Sequence, residues 1–302
     1  MAAEAGWYGG EAGRLTEEVK NAAFRYLLLA ATLFGLVLLF VLLVYVTVDA
    51  LALFDPANPW LDWQLLTGTY ATTADEAGIF PQIVGSLFIM VVMVVGVFPI
   101  GVGAAVYLEE FAPENRWTRL VQINIGNLAG VPSVVYGILG LAVFINVLGL
   151  ERGIVIVASF TLGLLVLPIV IVSSQEALRS VPDSMRQASF GMGASRWQTV
   201  RNVVLPEALP GILTGTILAL SRAIGETAPL LVVGLATTVF SVPTSLFDKA
   251  AALPLQIFAW ASYPQPAFRY GVVAASVVVL LAMMLSLNAA AIVIRNRYQR
   301  RD

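Results

Sequence analysis

Six apolar stretches dominate the chain: about 25–48, 82–107, 120–148, 154–174, 208–240 and 270–294. Each is long enough to cross a bilayer, whose hydrocarbon core of about 30 Å asks for about 20 apolar helical residues. The chain is 59% hydrophobic and only 12% charged over 302 residues, too apolar for a soluble protein's surface. Runs of about ten alternating apolar and polar residues, the mark of a membrane barrel, do not occur. The expected fold class is therefore all-α and polytopic, with six transmembrane helices. The third and fifth stretches exceed a straight crossing, so a tilt or a break is expected there.

The positions of the cations set the expected orientation, because short cytoplasmic loops hold an excess of Lys and Arg. With the N-terminus inside, 13 of the 17 Lys and Arg fall on the cytoplasmic side, Arg152, Lys249 and Arg269 fall outside, and Arg222 sits within a span. This predicts N-in and C-in, with residues 1–24 as a cytoplasmic tail, 25–294 as the membrane domain and 295–302 as a basic cytoplasmic tail. The first span is too long for a cleavable signal core and is followed by VTVDALALFDP, without a small-residue cleavage site. Residues 1–20, polar and rich in Ala and Gly, read as a mobile tail or a short surface helix.

Absences narrow the chemistry. There is no Cys and no His, which removes disulfides, iron–sulfur clusters, a catalytic thiol and imidazole ligands. A GxxxxGK[ST] nucleotide loop is missing too, so this chain is not expected to hydrolyse ATP. The basic residues flank spans instead of forming one face, which argues against nucleic acid as a partner.

The outer segments carry turn and interface residues. Residues 49–81 hold Asp49, Asp55, Asp62, Asp75, Glu76, Trp60 and Trp63, with DPANP as a turn signal. They read as a structured cap lying on the membrane. Residues 241–269 place four prolines around AALPLQIFAWA, a run too short to cross and expected to be a surface or re-entrant helix. It serves either as plain packing or as a gate or docking surface.

One inner loop, 175–207, is much longer than a turn requires. Pro182-Asp183-Ser184 is a helix-start signal, Gly191 and Gly193 interrupt the helix it opens, and Ser195 can cap a second helix toward Val204. The expectation is a helix–turn–helix, read either as a projection into the cytoplasm or as an amphipathic hairpin on the lipid surface.

Within that loop Gln187-Ala188-Ser189, Gly193, Val203 and Leu205-Pro206 resemble the EAA loop of ABC importer permeases. There EAA is followed at set spacings by Gly, Ile or Val, and Leu-Pro. Gln stands for the Glu, and Ser for the second Ala. Four further strings, YLEEFAPENRWTRL, NLAGVPSVVYGILGL, LPEALPGILTG and SRAIGETAPLL, are similar in order and content to phosphate importer permeases of the PstA type. The resemblance implies a type I ABC importer permease fold in the inner cell membrane. It also implies a second, distinct phosphate permease subunit, two copies of an ATPase that docks on the 175–207 loop, and an external phosphate-binding protein. ATP and Mg would bind the ATPase, leaving this chain without a cofactor.

The fifth stretch holds Arg222 and Glu226 within LALSRAIGETAPLL. A charge at the membrane centre costs about 2.5–3.5 kcal/mol on insertion scales, so such residues pair and face a bundle interior or a wet pathway. Four residues apart on a regular helix, the two can pair, either as a clip to a neighbouring helix or as a site for an anion. Arg presents a planar fork of donors that matches phosphate oxygens. In the resembled family the Arg of this string is the prominent one, which implies that Arg222 meets the anion. Glu226 then holds Arg222 between transport events and accepts a hydrogen bond from a protonated phosphate oxygen. Gly225 and Pro229 are expected to loosen this helix. In the third stretch Pro132 is expected to kink a helix, with Ser133 and Tyr136 offering hydroxyls to the pathway and Asn124 and Asn127 packing. Two alternatives stay open: a permease for another oxyanion such as molybdate or sulfate, and an ATP-independent carrier or channel.

Overall fold

The computed structural model describes residues 10–51 and 59–299 of the chain. Among the described residues there are twelve α-helices: α1 Gly10–Ala50, α2 Trp63–Thr67, α3 Phe80–Val106, α4 Arg116–Ala129, α5 Ser133–Gly140, α6 Val155–Arg179, α7 Asp183–Gly191, α8 Arg196–Thr199, α9 Leu205–Ile224, α10 Ala228–Val232, α11 Leu253–Ala261 and α12 Val273–Gln299. Wide π-type turns at Tyr107–Phe111, Leu141–Val147, Val200–Val204 and Ala267–Val272 extend or join several of them. Five helical rods are long and apolar enough to cross a membrane, and the pair Arg116–Ala129 and Ser133–Val147 makes a sixth crossing if it is one broken span. The fold is thus a helical membrane bundle; the only β-pairing among the described residues is an isolated bridge, Ile154 with Lys249.

Three spans differ from their sequence reading. The third has the break that its length allowed, but as two helices meeting at 107° and not as a kink at Pro132 within one helix. Gly130 ends α4, and Pro132, extended at ψ 137°, sits before α5; Pro disfavours helical backbone at Val131 before it. The fifth span does not run to residue 240. It begins at Arg196 and stops at Ile224, because Gly225 caps α9 and Pro229, lacking an N–H, cannot continue the ladder. The apolar residues beyond the stop, among them Leu230, Val233 and Leu235, are buried against the chain's own core. The helix of the first span starts earlier than the apolar stretch: residues 10–24 are helical and continuous with it, and residues 1–9 lie outside the described residues. At the other end α12 carries the chain helically to Gln299, so most of the basic tail is the last turn of a span; residues 300–302 lie outside the described residues.

The centre of the bundle is α6, packed between α3 and α9. Ser159 on α6 donates its hydroxyl to the Ile89 carbonyl of α3 (3.1 Å). On α9 the small residues Gly211 and Gly215 lie one turn apart and face Ala177 and Ser173 of α6. A Cβ on Gly215 would sit 2.4 Å from Cβ of Ser173, so only glycine allows the two backbones to approach this closely. Ile89, Met93, Leu162, Val166, Ala219 and Leu230 close the core above this contact.

At the end of the bundle away from the 175–207 loop, α2 and α11 pack with Ala50, Ile79 and Phe268 in a second apolar cluster. The Tyr70 ring stacks on Trp260 (6.4 Å between centroids) and its hydroxyl meets that of Tyr263 at 2.9 Å. The run 251–261, expected to be a surface or re-entrant helix, is helical from Leu253 and packs into this cluster. α11 buries Leu253, Leu255, Gln256 and Trp260 and leaves Phe258 exposed; the Leu253 N–H donates to the Ser86 hydroxyl of α3 (2.8 Å), and Gln256 lies against Gln82. Of the DPANP turn only Pro59 falls within the described residues.

Gly215→Val should cost the fold about 1–3 kcal/mol by overpacking α9 against α6, whereas Gly126→Ala, which meets nothing within 4 Å, should not strain packing. Thermal unfolding of the two variants in detergent measures the contrast; equal midpoints would contradict the packing described.

Candidate functional site

Arg222 occupies the last turn of α9, where the exposed helix carbonyls favour a cation. Since α9 spans about 30 Å, Arg222 sits near one end of a membrane-length rod and not at its middle. Its Nε donates to Glu226 Oε1 at 3.3 Å. Glu226 lies past the helix end, turned back by its own N–H on the Ala223 carbonyl (3.2 Å). The pair therefore spans a helix break, not a regular helix. Arg222 is about half exposed (52%) and Glu226 is 16% exposed. Among the described residues the two terminal amino groups of Arg222 make no hydrogen bond. One edge of the guanidinium is held and the other is presented outward.

The corner between α4 and α5 packs on the segment after this break. Gly137 of α5 lies so near Pro229 of α10 that a Cβ would sit 2.8 Å from the proline Cα. This brings together two motif strings that lie about ninety residues apart in the chain. Ser133 is one turn from Gly137 on the same helix face; it is half-buried and its hydroxyl has no partner among the described residues. Tyr136 does not offer its hydroxyl to open space. It is buried (4% exposed) and donates to the Leu128 carbonyl at 2.7 Å, which braces the corner. The expected packing of Asn124 and Asn127 is not found, because α4 buries none of its residues within this chain, and Asn124 donates to its own helix at Leu120.

The 175–207 loop forms a helical hairpin. α7 starts after Pro182, ends at Gly191, and closes with Gly193 in the left-handed region (φ 84°). The Ala194 N–H reaches back to the Ser189 carbonyl (3.2 Å), the six-residue closure that a left-handed C-terminal residue permits. Ser195 and Gln198 then form a reciprocal capping box that opens α8, and the Ser189 and Thr199 hydroxyls bridge the two arms at 2.9 Å. Gln187 and Ala188 are exposed on α7, Val203 is half-buried, and Leu205-Pro206 begins α9. Phe190, Met192 and Trp197 (46%, 90% and 57% exposed) make an uncovered apolar tip.

From Arg196 to Ile224 the helix is a single 29-residue rod. It joins the hairpin at one end to Arg222 at the other.

Residues 9–301 match the family of binding-protein-dependent transport system inner membrane components. The chain belongs to that family. A probable ABC transporter permease of Bacillus subtilis strain 168, YqgI, is 36% identical over 198 residues, covering 66% of this chain and 67% of the relative. The phosphate transport system permease PstA 1 of Mycobacterium tuberculosis H37Rv is 36% identical over 219 residues, 72% of this chain and 70% of the relative. Among solved structures, a bacterial ABC transporter involved in import of the acidic polysaccharide alginate shares the fold over 94% of this chain and 99% of its own. Its TM-score is 0.61 and its identity 16%. The architecture is that of a type I ABC importer permease, and an ATP-independent carrier is no longer a candidate.

The permease also holds its hairpin by charges that the sequence reading left without a role. Glu109 and Glu110, at the end of the second span, face Arg179 and Arg186. Arg179 grips Glu109 with Nε (2.8 Å) and Nη2 (2.6 Å), and Gln175 adds a third bond at 2.7 Å. Arg186 bonds Glu110 at 2.9 Å and also caps the carbonyls of Leu178 and Val181 (2.9 and 2.7 Å) at the end of α6. With Glu110 and Arg186 side chains 10% and 17% exposed, this pair is poorly screened by solvent. The available signal was complementary charge at two span ends on one membrane side.

Arg186→Met should leave Glu110 buried and unpaired, at about 3–5 kcal/mol; adding Glu110→Gln should recover most of that loss. Denaturation midpoints of the two single variants and the double variant test the coupling, and additive losses would contradict it.

Proposed function

We propose that this ABC importer permease subunit carries inorganic phosphate and forms half of the pathway, the other half coming from a second, distinct permease. In this reading the hairpin tip docks on an ATPase subunit that binds ATP and Mg, and an external phosphate-binding protein delivers the anion to the opposite side. The termini and the hairpin lie in the cytoplasm, in agreement with the excess of Lys and Arg at that end. The chain itself performs no hydrolysis.

The observation that carries the reading is the Arg196–Ile224 rod, which joins an apolar docking tip to an arginine with one edge held and one edge open. When the ATPase dimer closes, the hairpin arms move together because Ser189, Thr199 and the Glu109 and Glu110 ion pairs tie them to the bundle. The rod passes that motion to the break at Gly225, where Arg222 meets the anion. Glu226 restrains Arg222 when no anion is present. It is also placed to accept a proton-bearing phosphate oxygen, which fully ionised sulfate lacks. Ser133, one turn from the Gly137–Pro229 contact, supplies a hydroxyl, and Tyr136 acts through the shape of the corner. Similarity to PstA-type permeases supports phosphate over other oxyanions.

ATP hydrolysis by the complete complex in lipid, with its binding protein, should rise with phosphate and not with sulfate. Arg222→Met should lower phosphate uptake about 10–100-fold, the loss of one or two charge-assisted bonds. Stimulation by sulfate or molybdate instead would leave the importer class standing and remove both the phosphate assignment and the proton-acceptor role of Glu226.

A further inference from the structure

A groove of about 850 Å³, separate from the Arg222 break, runs between the end of α3 and the first turns of α4, beside the base of the hairpin. Arg116, Arg119 and Arg196 line it. Among the described residues none of the three forms an ion pair. Two are held by aromatic faces instead of carboxylates: Arg116 lies 5.8 Å from the Trp117 ring centre and Arg196 lies 5.4 Å from that of Phe111. Such contacts orient a guanidinium without neutralising it. Of the two carboxylates in the groove, Glu109 is already committed to Arg179, which leaves Glu114 against three cations.

The apolar side of the same groove is equally specific. Leu108, Leu120 and Ile123 line it, and Leu120 and Ile123 are half exposed (50% and 53%) with nothing of this chain covering them. Trp117, 65% exposed, stands at the N-terminal end of α4, where Trp marks membrane interfaces. A cationic end, an apolar flank and an interfacial tryptophan match one ligand chemistry: a phosphate diester headgroup with an acyl chain attached. Arg recognises phosphate oxygens through its fork, and basic pockets between spans on the cytoplasmic side take anionic headgroups. A carboxylate-bearing protein surface would satisfy the arginines but leave the Leu120–Ile123 flank uncovered, whereas acyl chains cover it in any membrane.

We propose that this groove binds an anionic phospholipid, headgroup on Arg116, Arg119 and Arg196 and acyl chain along Leu120 and Ile123. The bound lipid ties α4 to α8 through Arg196, at the base of the rod that leads to Arg222. The site needs no transported anion, so it stands or falls apart from the phosphate assignment; it rests only on this end of the bundle meeting a lipid leaflet.

Native mass spectrometry of the full chain, released from detergent after titration with phosphatidylglycerol or phosphatidylcholine, tests the proposal. The wild type should retain phosphatidylglycerol selectively, and Arg116→Gln/Arg119→Gln should weaken that retention about tenfold or more. Arg116→Lys/Arg119→Lys, which keeps the charge but not the fork, should retain phosphatidylglycerol better than the Gln variant and less well than the wild type, which separates loss of charge from loss of fold. Equal retention of both lipids, or unchanged retention in the Gln variant, overturns the site. Displacement of phosphatidylglycerol by inorganic phosphate reassigns the groove to a free anion, and exclusion of lipid by the docked ATPase reassigns it to a protein contact; either result overturns the lipid assignment.

Discussion

The close approach of α9 to α6 is the contact on which the rest of the molecule depends. Gly211 and Gly215 lie against Ala177 and Ser173, so the rod that begins in the hairpin is seated by backbone proximity along its middle. In lipid there is no hydrophobic gain in bringing two apolar helices together, and close van der Waals contact through small residues is what remains. The lower part of the rod is wedged by Val204, Ala208 and Ile212, all buried with Leu178 and Val181. Its upper end, released by Gly225 and Pro229, presents Arg222.

Charge is used in two ways along this line. At the hairpin base, Glu109, Glu110, Arg179 and Arg186 are tied to one another, and Arg186 also to backbone carbonyls. Little donor capacity is left there for a ligand, and the group acts as a clamp. At the far end, Arg222 has a single contact at 3.3 Å and stays half exposed. The same residue type is fixed in one place and poised in the other, because a buried pair is costly to leave half-made while an open fork at a helix end is not.

Local chemistry was legible in the sequence, and tertiary relations were not. The hairpin could be read because Pro182, Gly193 and Ser195 act through their own backbone and nearest neighbours. The end of the fifth span could not: Leu230, Val233 and Leu235 have the composition of lipid-facing residues but are buried against the chain itself, and hydropathy does not distinguish the two. Gly225 and Pro229 read as loosening a helix that in fact stops there. Pro132 read as a kink, whereas with Gly130 it turns the chain by 107°. The extension of α1 over residues 10–24 was missed because those residues favour a helix without being apolar. The clamp joins residues 70 and 76 positions apart and had no local signature. The Arg222–Glu226 contact was anticipated from spacing, although the geometry that makes it is a break and not a helical turn.

The account centres on the rod moving as one body between the hairpin and Arg222. The chain has no Cys, so spin labels attach only where a Cys is introduced. Labels at Asn202→Cys and Leu218→Cys, both exposed on the rod, lie about 24 Å apart along a helical axis. Electron–electron distance measurement on the assembled complex should give one narrow distribution, unchanged when ATP is added. A distribution that broadens or shifts with ATP would show that the rod bends between hairpin and break, and would contradict the account.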